Sequence, residues 1–213
     1  MVRVAGQHAR HHVRVLAVRT LVAIAGIVAI TVIAGAALGW RSLPFVLVEL
    51  AAIAGMHLAD RLVLPVIDRW DRGAEGEEHV GKLLEALVER GWRPIHDVSL
   101  GRGNIDHVLI GPGGLFTIET KSHRGRLAVA RLDPAMLKQA YAQRKLVERI
   151  TGMPVEALLV FSNAYLDRPV SRQRGVLVLP ARMLAGHLER RERKLGDSEV
   201  ESLHARLVAA LDG

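Results

Sequence analysis

Asp106, Glu119 and Lys121 are the residues whose types and spacing point most directly to chemistry. They flank Gly111-Pro112-Gly113-Gly114, which reads as a tight turn between two strands, Ile105–Ile110 and Leu115–Lys121. In a hairpin whose turn is centred on Pro112 and Gly113, facing residues have numbers summing to 225, so Ile110 opposes Leu115 and Asp106 opposes Glu119. Lys121 lies two residues beyond Glu119 and projects from the same face. Like charges opposed on a sheet are destabilising, and a divalent cation removes the repulsion. Mg²⁺ binds through one or two carboxylates and takes phosphate oxygens as further ligands, and Mn²⁺ can substitute for it. A nearby ammonium can orient a metal-bound water or steady charge on a phosphate. The competing reading is an exposed rim with an ion pair. Val108 and Ile110 beside Asp106, and Leu115 beside Glu119, instead place the acids at the edge of a buried region. The argument depends on register, since a one-residue slip moves Asp106 to the opposite face.

Other segments must position this hairpin. Gly73–Gly91 reads as a helix, with Val80, Leu83, Leu84 and Leu87 on one apolar face and Gly91 as the stop. Glu77, three residues before Val80, aligns an acid with that face. Arg93–Ser99 reads as a strand, Pro134–Ile150 as a helix, and Val155–Phe161 and Gly175–Leu179 as strands. Helices near Ala181–Lys194 and Ser198–Leu211 close the chain. Helix, three strands, helix, strand argues a three-layer α/β or α+β domain over residues 71–213. His107 alternates to the face opposite Asp106 and reads as packing. Arg124, Arg126 and Arg131 follow Lys121 closely and can grip a phosphate backbone. Arg168, Arg172 and Arg174 form a second basic cluster or a solvated loop, and the run Glu189–Lys194 reads as an exposed helix face. Gly101-Arg102-Gly103 reads as a turn, since neither it nor Gly111–Gly114 has the spacing of a nucleotide cradle.

The remainder of the chain has a different character. Thr20–Trp40 is 21 residues without a charge, long enough to span roughly 30 Å of hydrocarbon. Leu43–Ala59 is a second apolar stretch but carries Glu49 and His57. Arg3, Arg10, Arg14 and Arg19 precede the first stretch, Arg41 lies in the link, and Arg61, Arg69 and Arg72 follow the second. Positive charge on both outer flanks implies a transmembrane helical hairpin over residues 20–67, with the basic segment 1–19 and the soluble domain both cytoplasmic. A cleaved signal peptide, with small residues at Ala34–Ala37, is the alternative, although the apolar run exceeds the usual core of one. Trp40 and Trp70 suit interfacial anchors, and the Gly35–Gly39 spacing permits a homo-oligomer through the membrane helices.

Composition narrows the chemistry. The absence of Cys excludes a disulfide framework, a thiolate metal site and a Cys nucleophile. The net charge of +7 divides as +4 over residues 1–72 and +3 over the rest, so the basic excess is not one nucleic-acid stripe.

Gly73-Ala74-Glu75-Gly76-Glu77, then Asn104-Ile105-Asp106-His107-Val108-Leu109-Ile110-Gly111-Pro112-Gly113-Gly114-Leu115-Phe116, then Ile118-Glu119-Thr120-Lys121, resemble the nuclease-related domain called NERD, of the PD-(D/E)XK, or restriction-endonuclease-like, superfamily. The resemblance covers about Asp71–Ser162 and implies an α-β-β-β-α-β core. By position it implies that Asp106 and Glu119 bind the metal with the backbone carbonyl of Thr120, that Lys121 is the catalytic lysine, that Glu77 is the acid of the first helix, and that Gln139 is the glutamine of the following helix. Asp133-Pro134 stands where the family usually has Asn-Pro.

The expected function is a membrane-anchored, cytoplasm-facing, Mg²⁺-dependent nuclease, acting on DNA rather than RNA. The alternatives are a non-catalytic tether that uses the same fold to bind nucleic acid or protein at the membrane, and a membrane-organising protein in which the hairpin is the functional element.

Overall fold

The computed structural model describes residues 5–40, 42–99 and 104–212; Arg3, Arg41 and the Gly101–Gly103 turn lie outside them. The chain divides into two compact units, His8–Arg72 and Gly73 onward, the latter also taking in Ala5 to Gln7.

In the first unit α1 runs from Gln7 to Leu38, so the basic segment expected as a separate N-terminus is helical through Arg10, Arg14 and Arg19. Gly39 ends α1 in the left-handed conformation (φ 81°). Ser42 then opens the next helix, its Oγ accepting the Phe45 amide at 3.3 Å. Both helices are long and apolar enough to cross a membrane. Most of their large apolar side chains are exposed, Leu21, Val22 and Ile33 by about two-thirds. Gly35 is not an open helix face: the Trp40 ring covers it so closely that a Cβ there would lie 2.6 Å from the indole. Trp40 also packs edge-on against Phe45. With Gly39 outside the helix, the Gly35–Gly39 spacing presents no two-residue contact face.

The second helix, α2, is continuous from Leu43 to Glu85, where the sequence predicts one helix ending near Ala59 and another starting at Gly73. Only Pro65 interrupts the intervening residues. A lone proline removes one hydrogen bond, and no glycine or turn pair adjoins it to complete a break. At its far end α2 stops at Glu85, and Val88–Arg90 forms a single 3₁₀ turn closed by Gly91 at φ 82°.

The second unit is built on a six-stranded mixed sheet. Its strands are β1 (Arg93–Ser99), β2 (Asn104–Gly111), β3 (Gly114–Lys121), β5 (Val155–Phe161), β7 (Ser171–Gln173) and β8 (Val176–Pro180), in the order β1-β2-β3-β5-β8-β7. Two further short strands, β4 (Gly125–Leu127) and β6 (Ala164–Leu166), pair with each other. The helices are α3 (Pro134–Thr151), α4 (Leu184–Glu189) and α5 (Asp197–Asp212). β1, β2 and β3 are antiparallel, whereas β3, β5 and β8 run parallel. Alternation along the strands feeds two cores. Leu109, Phe116, Ile118 and Leu158 meet Val80, Leu84 and Leu87 of α2 and Leu184 of α4. Val108, Ile110 and Leu115 meet Val147 of α3 and Leu203 and Leu207 of α5, and Ala157 and Leu159 meet Leu137 and Ala140 of α3. Asp133 caps α3, accepting the Ala135 amide at 2.8 Å, with Pro134 at the first helical position, so Asp supplies the same cap as the Asn more usual there.

The helix expected over Ala181–Lys194 is only a 3₁₀ turn and the six residues of α4. The charged run after it is pulled out of helical form by other partners. Arg191 pairs with Glu156, Arg193 with Asp197, and the amides of Lys194 and Leu195 donate to the Pro112 carbonyl. Of the second basic cluster, Arg172 is likewise held by Glu156.

Candidate active site

The β2–β3 register is the one expected from the turn: Gly111 faces Gly114, Ile110 faces Leu115, and His107 faces Ile118. Glycine is required at 111 because a Cβ there would lie 2.2 Å from the Trp92 ring. Beyond His107 the regular ladder ends and a side chain takes over, the Thr120 amide donating to Asp106 Oδ2 at 2.7 Å. Asp106 is thereby fixed against the end of β3, next to Glu119.

Glu119 is buried. Its Oε1 receives Lys121 Nζ at 2.6 Å, and its Oε2 receives Gln143 Nε2 at 2.5 Å. The same Gln143 amide donates to the Asn104 carbonyl at 3.0 Å, tying α3 to the start of β2. Gln139, one turn earlier on α3, is exposed, and its Oε1 lies 3.4 Å from Lys121 Nζ. The Lys121 carbonyl accepts the Ser162 amide, so the backbone of Lys121 faces β5. Alternation then turns the Thr120 amide and carbonyl toward β2 and Asp106.

Glu77 comes from the other side. Gly76 presses α2 onto the ends of β3 and β5, where a Cβ would lie 2.8 Å from Ser162 Oγ and 3.0 Å from Ser122 Cβ. This contact delivers the next residue, Glu77, half-buried, to the carboxylates. Burial, then the charges of Asp97 and Glu119, push its pKa up to about 7 against the pull of Lys121. The Asp106 carboxyl is also held well above the usual carboxylate range, by burial first and then by Glu119 and Glu77; the Thr120 amide and Lys121 act in the opposite direction.

Asp97 and Gln143 were not expected from the sequence. In β1–β2, partners sum to 203, as in His96–His107 and Val98–Ile105, which sets Asp97 at the position across from Asp106. Pairing is interrupted there because Asp97 adopts φ 52°, and its carboxylate accepts from the Asn104 side-chain amide. Asp97, Asp106 and Glu119 therefore occupy successive strands at the same end of the sheet. Gln143 carries the signal of lying four residues after Gln139, on the same helix face.

The remaining expected residues are placed differently. Arg124, Arg126 and Arg131 are exposed in the segment after β3, and among the described residues none forms an ion pair with the carboxylates. Arg126 lies over the Tyr165 ring at 5.2 Å. His107 is fully buried on the opposite face, its Nδ1 2.8 Å from His96 Nδ1, and burial followed by His96 holds its pKa well below the ordinary value.

Carboxylate oxygens and one backbone carbonyl make a hard donor set suited to Mg²⁺. Among the described residues no three His, Asp or Glu side chains cage an ion by themselves. Asp106, Glu119 and the Thr120 carbonyl would hold such an ion with waters completing its shell, and its charge would relieve the repulsion that raises the carboxyl pKa values.

The family model of the nuclease-related domain matches residues 72–162, from the end of α2 through β5. Over these residues the chain is similar to the NERD family. An uncharacterized protein of Bacillus anthracis is 29% identical over 82 residues, covering 36% of this chain and 38% of that protein. Among solved structures, a repair endonuclease from Pyrococcus abyssi is 19% identical with a TM-score of 0.28, over 53% of this chain and 42% of that one. EndoMS in its complex with double-stranded DNA is 20% identical with a TM-score of 0.29, over 55% and 42%. Pyrococcus furiosus SfsA in complex with Ca²⁺ is 20% identical with a TM-score of 0.27, over 66% and 53%. The chain spans well under two-thirds of the length of each, and likenesses at these TM-scores do not fix a fold.

Gly76→Ala forces α2 away from Ser122 and Ser162, at a cost of about 1–3 kcal/mol in a melting experiment. Between pH 4.5 and about 7 the folded chain retains a proton on Glu77 that the unfolded chain has lost. In metal-free buffer, the Glu77 contribution to stability therefore falls as pH rises through that window, by at most about 1.4 kcal/mol per unit, and levels off above it. Thermal melts in EDTA should show this slope in the parent and a shallower one in Glu77→Gln.

Proposed function

We propose that the chain is a membrane-anchored nuclease that hydrolyses phosphodiester bonds, in DNA, with Mg²⁺. The observation that carries this reading is the grouping of the half-buried Asp106 and Glu77 with the buried Glu119, beside Lys121. A fold gains nothing from such a cluster by itself, whereas a hydrolase of polyanions gains a place for a cation and a phosphate. Bound Mg²⁺ supplies a water of lowered pKa and neutralises charge on the scissile phosphate.

The chain's own groups have separable tasks in this scheme. Asp106, anchored by the Thr120 amide, and Glu119, anchored by Gln143, are held in place before any ligand arrives. That preorganisation avoids rearrangement during reaction. Lys121 sits where it can steady the attacking water or the developing phosphate charge. Glu77, still protonated near neutrality, is able to pass a proton to or from water in the site. Gln139 reaches Lys121 and would position its ammonium.

Anchoring is supported by the exposed apolar side chains of α1 and the first part of α2, and the arginines flanking both helices favour a cytoplasmic domain.

The cleavage test uses the full chain in detergent with linear, circular and single-stranded DNA, in Mg²⁺, Mn²⁺ or EDTA. Cleavage should require the metal and fall on the order of 10²–10³-fold in Asp106→Ala and in Lys121→Ala. Unchanged cleavage in both variants would sink the assignment, and DNA binding without cleavage would favour the tether. Anchoring is checked separately: the chain should stay with membranes through an alkaline carbonate wash and be released by detergent. Release by carbonate alone would remove the membrane from the proposal.

A further inference from the structure

The parallel strands β3, β5 and β8 end level with one another, Lys121 beside Phe161 and Phe161 beside Pro180. Whatever leaves these three strand ends emerges at the edge of the sheet that carries Lys121. After β3 comes β4, after β5 comes β6, and after β8 comes the turn Ala181–Met183. β4 and β6 pair in parallel with Arg126 directly beside Tyr165. Ala164 and Leu166 point into the core, which leaves Arg126 and Tyr165 on the outer face. Arg182, from the turn after β8, reaches the same ring. The two guanidinium carbons lie 5.2 and 5.7 Å from the Tyr165 centroid, and Tyr165 is 53% exposed.

This grouping has no evident structural purpose of its own. Six other arginines, at positions 90, 93, 144, 172, 191 and 193, are committed to carboxylates. Among the described residues neither Arg126 nor Arg182 has an acid partner, so their fork donors remain available to phosphate oxygens. An exposed aromatic ring between two such cations combines a stacking surface with phosphate grip, the pairing by which single strands are held without sequence preference. In a duplex, base faces are covered by neighbouring pairs; only an unpaired base offers its face to a ring.

We propose that Tyr165, with Arg126 and Arg182, binds an unpaired base and its flanking phosphates, so that the strand presented at the edge carrying Lys121 is single-stranded nucleic acid. The inference rests on the nuclease reading and adds the class of substrate to it.

The test measures binding by the full chain in detergent micelles, in EDTA so that no cleavage intervenes. The probes are a fluorescein-labelled oligothymidylate, a blunt duplex of equal length, and an abasic strand carrying the same phosphates. The single strand should bind more tightly than the duplex or the abasic strand. Tyr165→Leu, which keeps apolar bulk on an exposed sheet position, should weaken oligothymidylate binding about tenfold, with Tyr165→Phe close to the parent. Arg126→Ala and Arg182→Ala should each flatten the logarithmic salt dependence by roughly 0.7. Equal affinity of Tyr165→Leu and the parent, or duplex bound as tightly as single strand, overturns the proposal. Should either occur while metal-dependent cleavage persists, the nuclease reading stands and only the platform falls; neither binding nor cleavage would remove both.

Discussion

Carboxylates from Glu77, Asp106 and Glu119 repel one another within a partly desolvated pocket, and much of the surrounding structure serves to hold them there. Two of the three are braced by groups that bond preferentially to a charged or strongly accepting oxygen. The Thr120 amide holds Asp106, while Lys121 and Gln143 take one oxygen each of Glu119. Among the described residues Glu77 has no such brace, and burial with the neighbouring acids raises its pKa to about 7. Burial and mutual repulsion bias both Asp106 and Glu77 toward holding a proton, a bias that a bound cation would reverse.

Holding these groups requires elements distant in sequence to meet at one edge. Gly76 admits α2 because it has no side chain to collide with Ser122 and Ser162. Gly111 admits Trp92, which closes the far end of the hairpin and packs against Phe116. Pro112, in the turn itself, receives the amides of Lys194 and Leu195, so the segment before α5 secures the hairpin from outside. The pressure of buried like charge is thus met by close backbone approach on α2, by the turn, and by an amide from α3. Interiors packed this closely transmit small displacements, so residues well away from the carboxylates share in their placement.

Much of this was legible in the sequence because it is local. The turn Gly111–Gly114 fixed the register that brings Asp106 toward Glu119, and runs of Val, Ile and Leu marked β1, β2, β3 and β5 to within a residue or two. Glu77 was visible from helical periodicity alone, three residues before Val80. What escaped depends on contacts made at a distance. Asp97 joins the acids only through the β1–β2 register and a left-handed backbone that no neighbouring residue announces. Gln143 looks like any helix-face amide until α3 is laid across the sheet. The Glu189–Lys194 run has helical spacing of charge, yet Glu156 and Asp197 claim its arginines and Pro112 claims its amides. The unbroken α2 shows the converse: one proline without a companion breaker did not outweigh the neighbouring residues able to continue the helix.

The proposed platform for nucleic acid follows a similar logic. Arg124, Arg126 and Arg131 were singled out because they come soon after Lys121, but chain proximity says little about direction. Parallel strands ending level give the direction, because segments leaving β3, β5 and β8 share one edge. Arg126 gains significance from Tyr165 and Arg182, which lie 39 and 56 positions further along and carry no motif of their own. A modest excess of positive charge over the whole domain is compatible with this arrangement. The relevant quantity is the placement of two guanidinium groups, without an acid partner among the described residues, beside an exposed ring. On that view the basic and acidic groups divide the work, the first drawing the strand to the edge and the second remaining unfavourable to it until a cation offsets their charge.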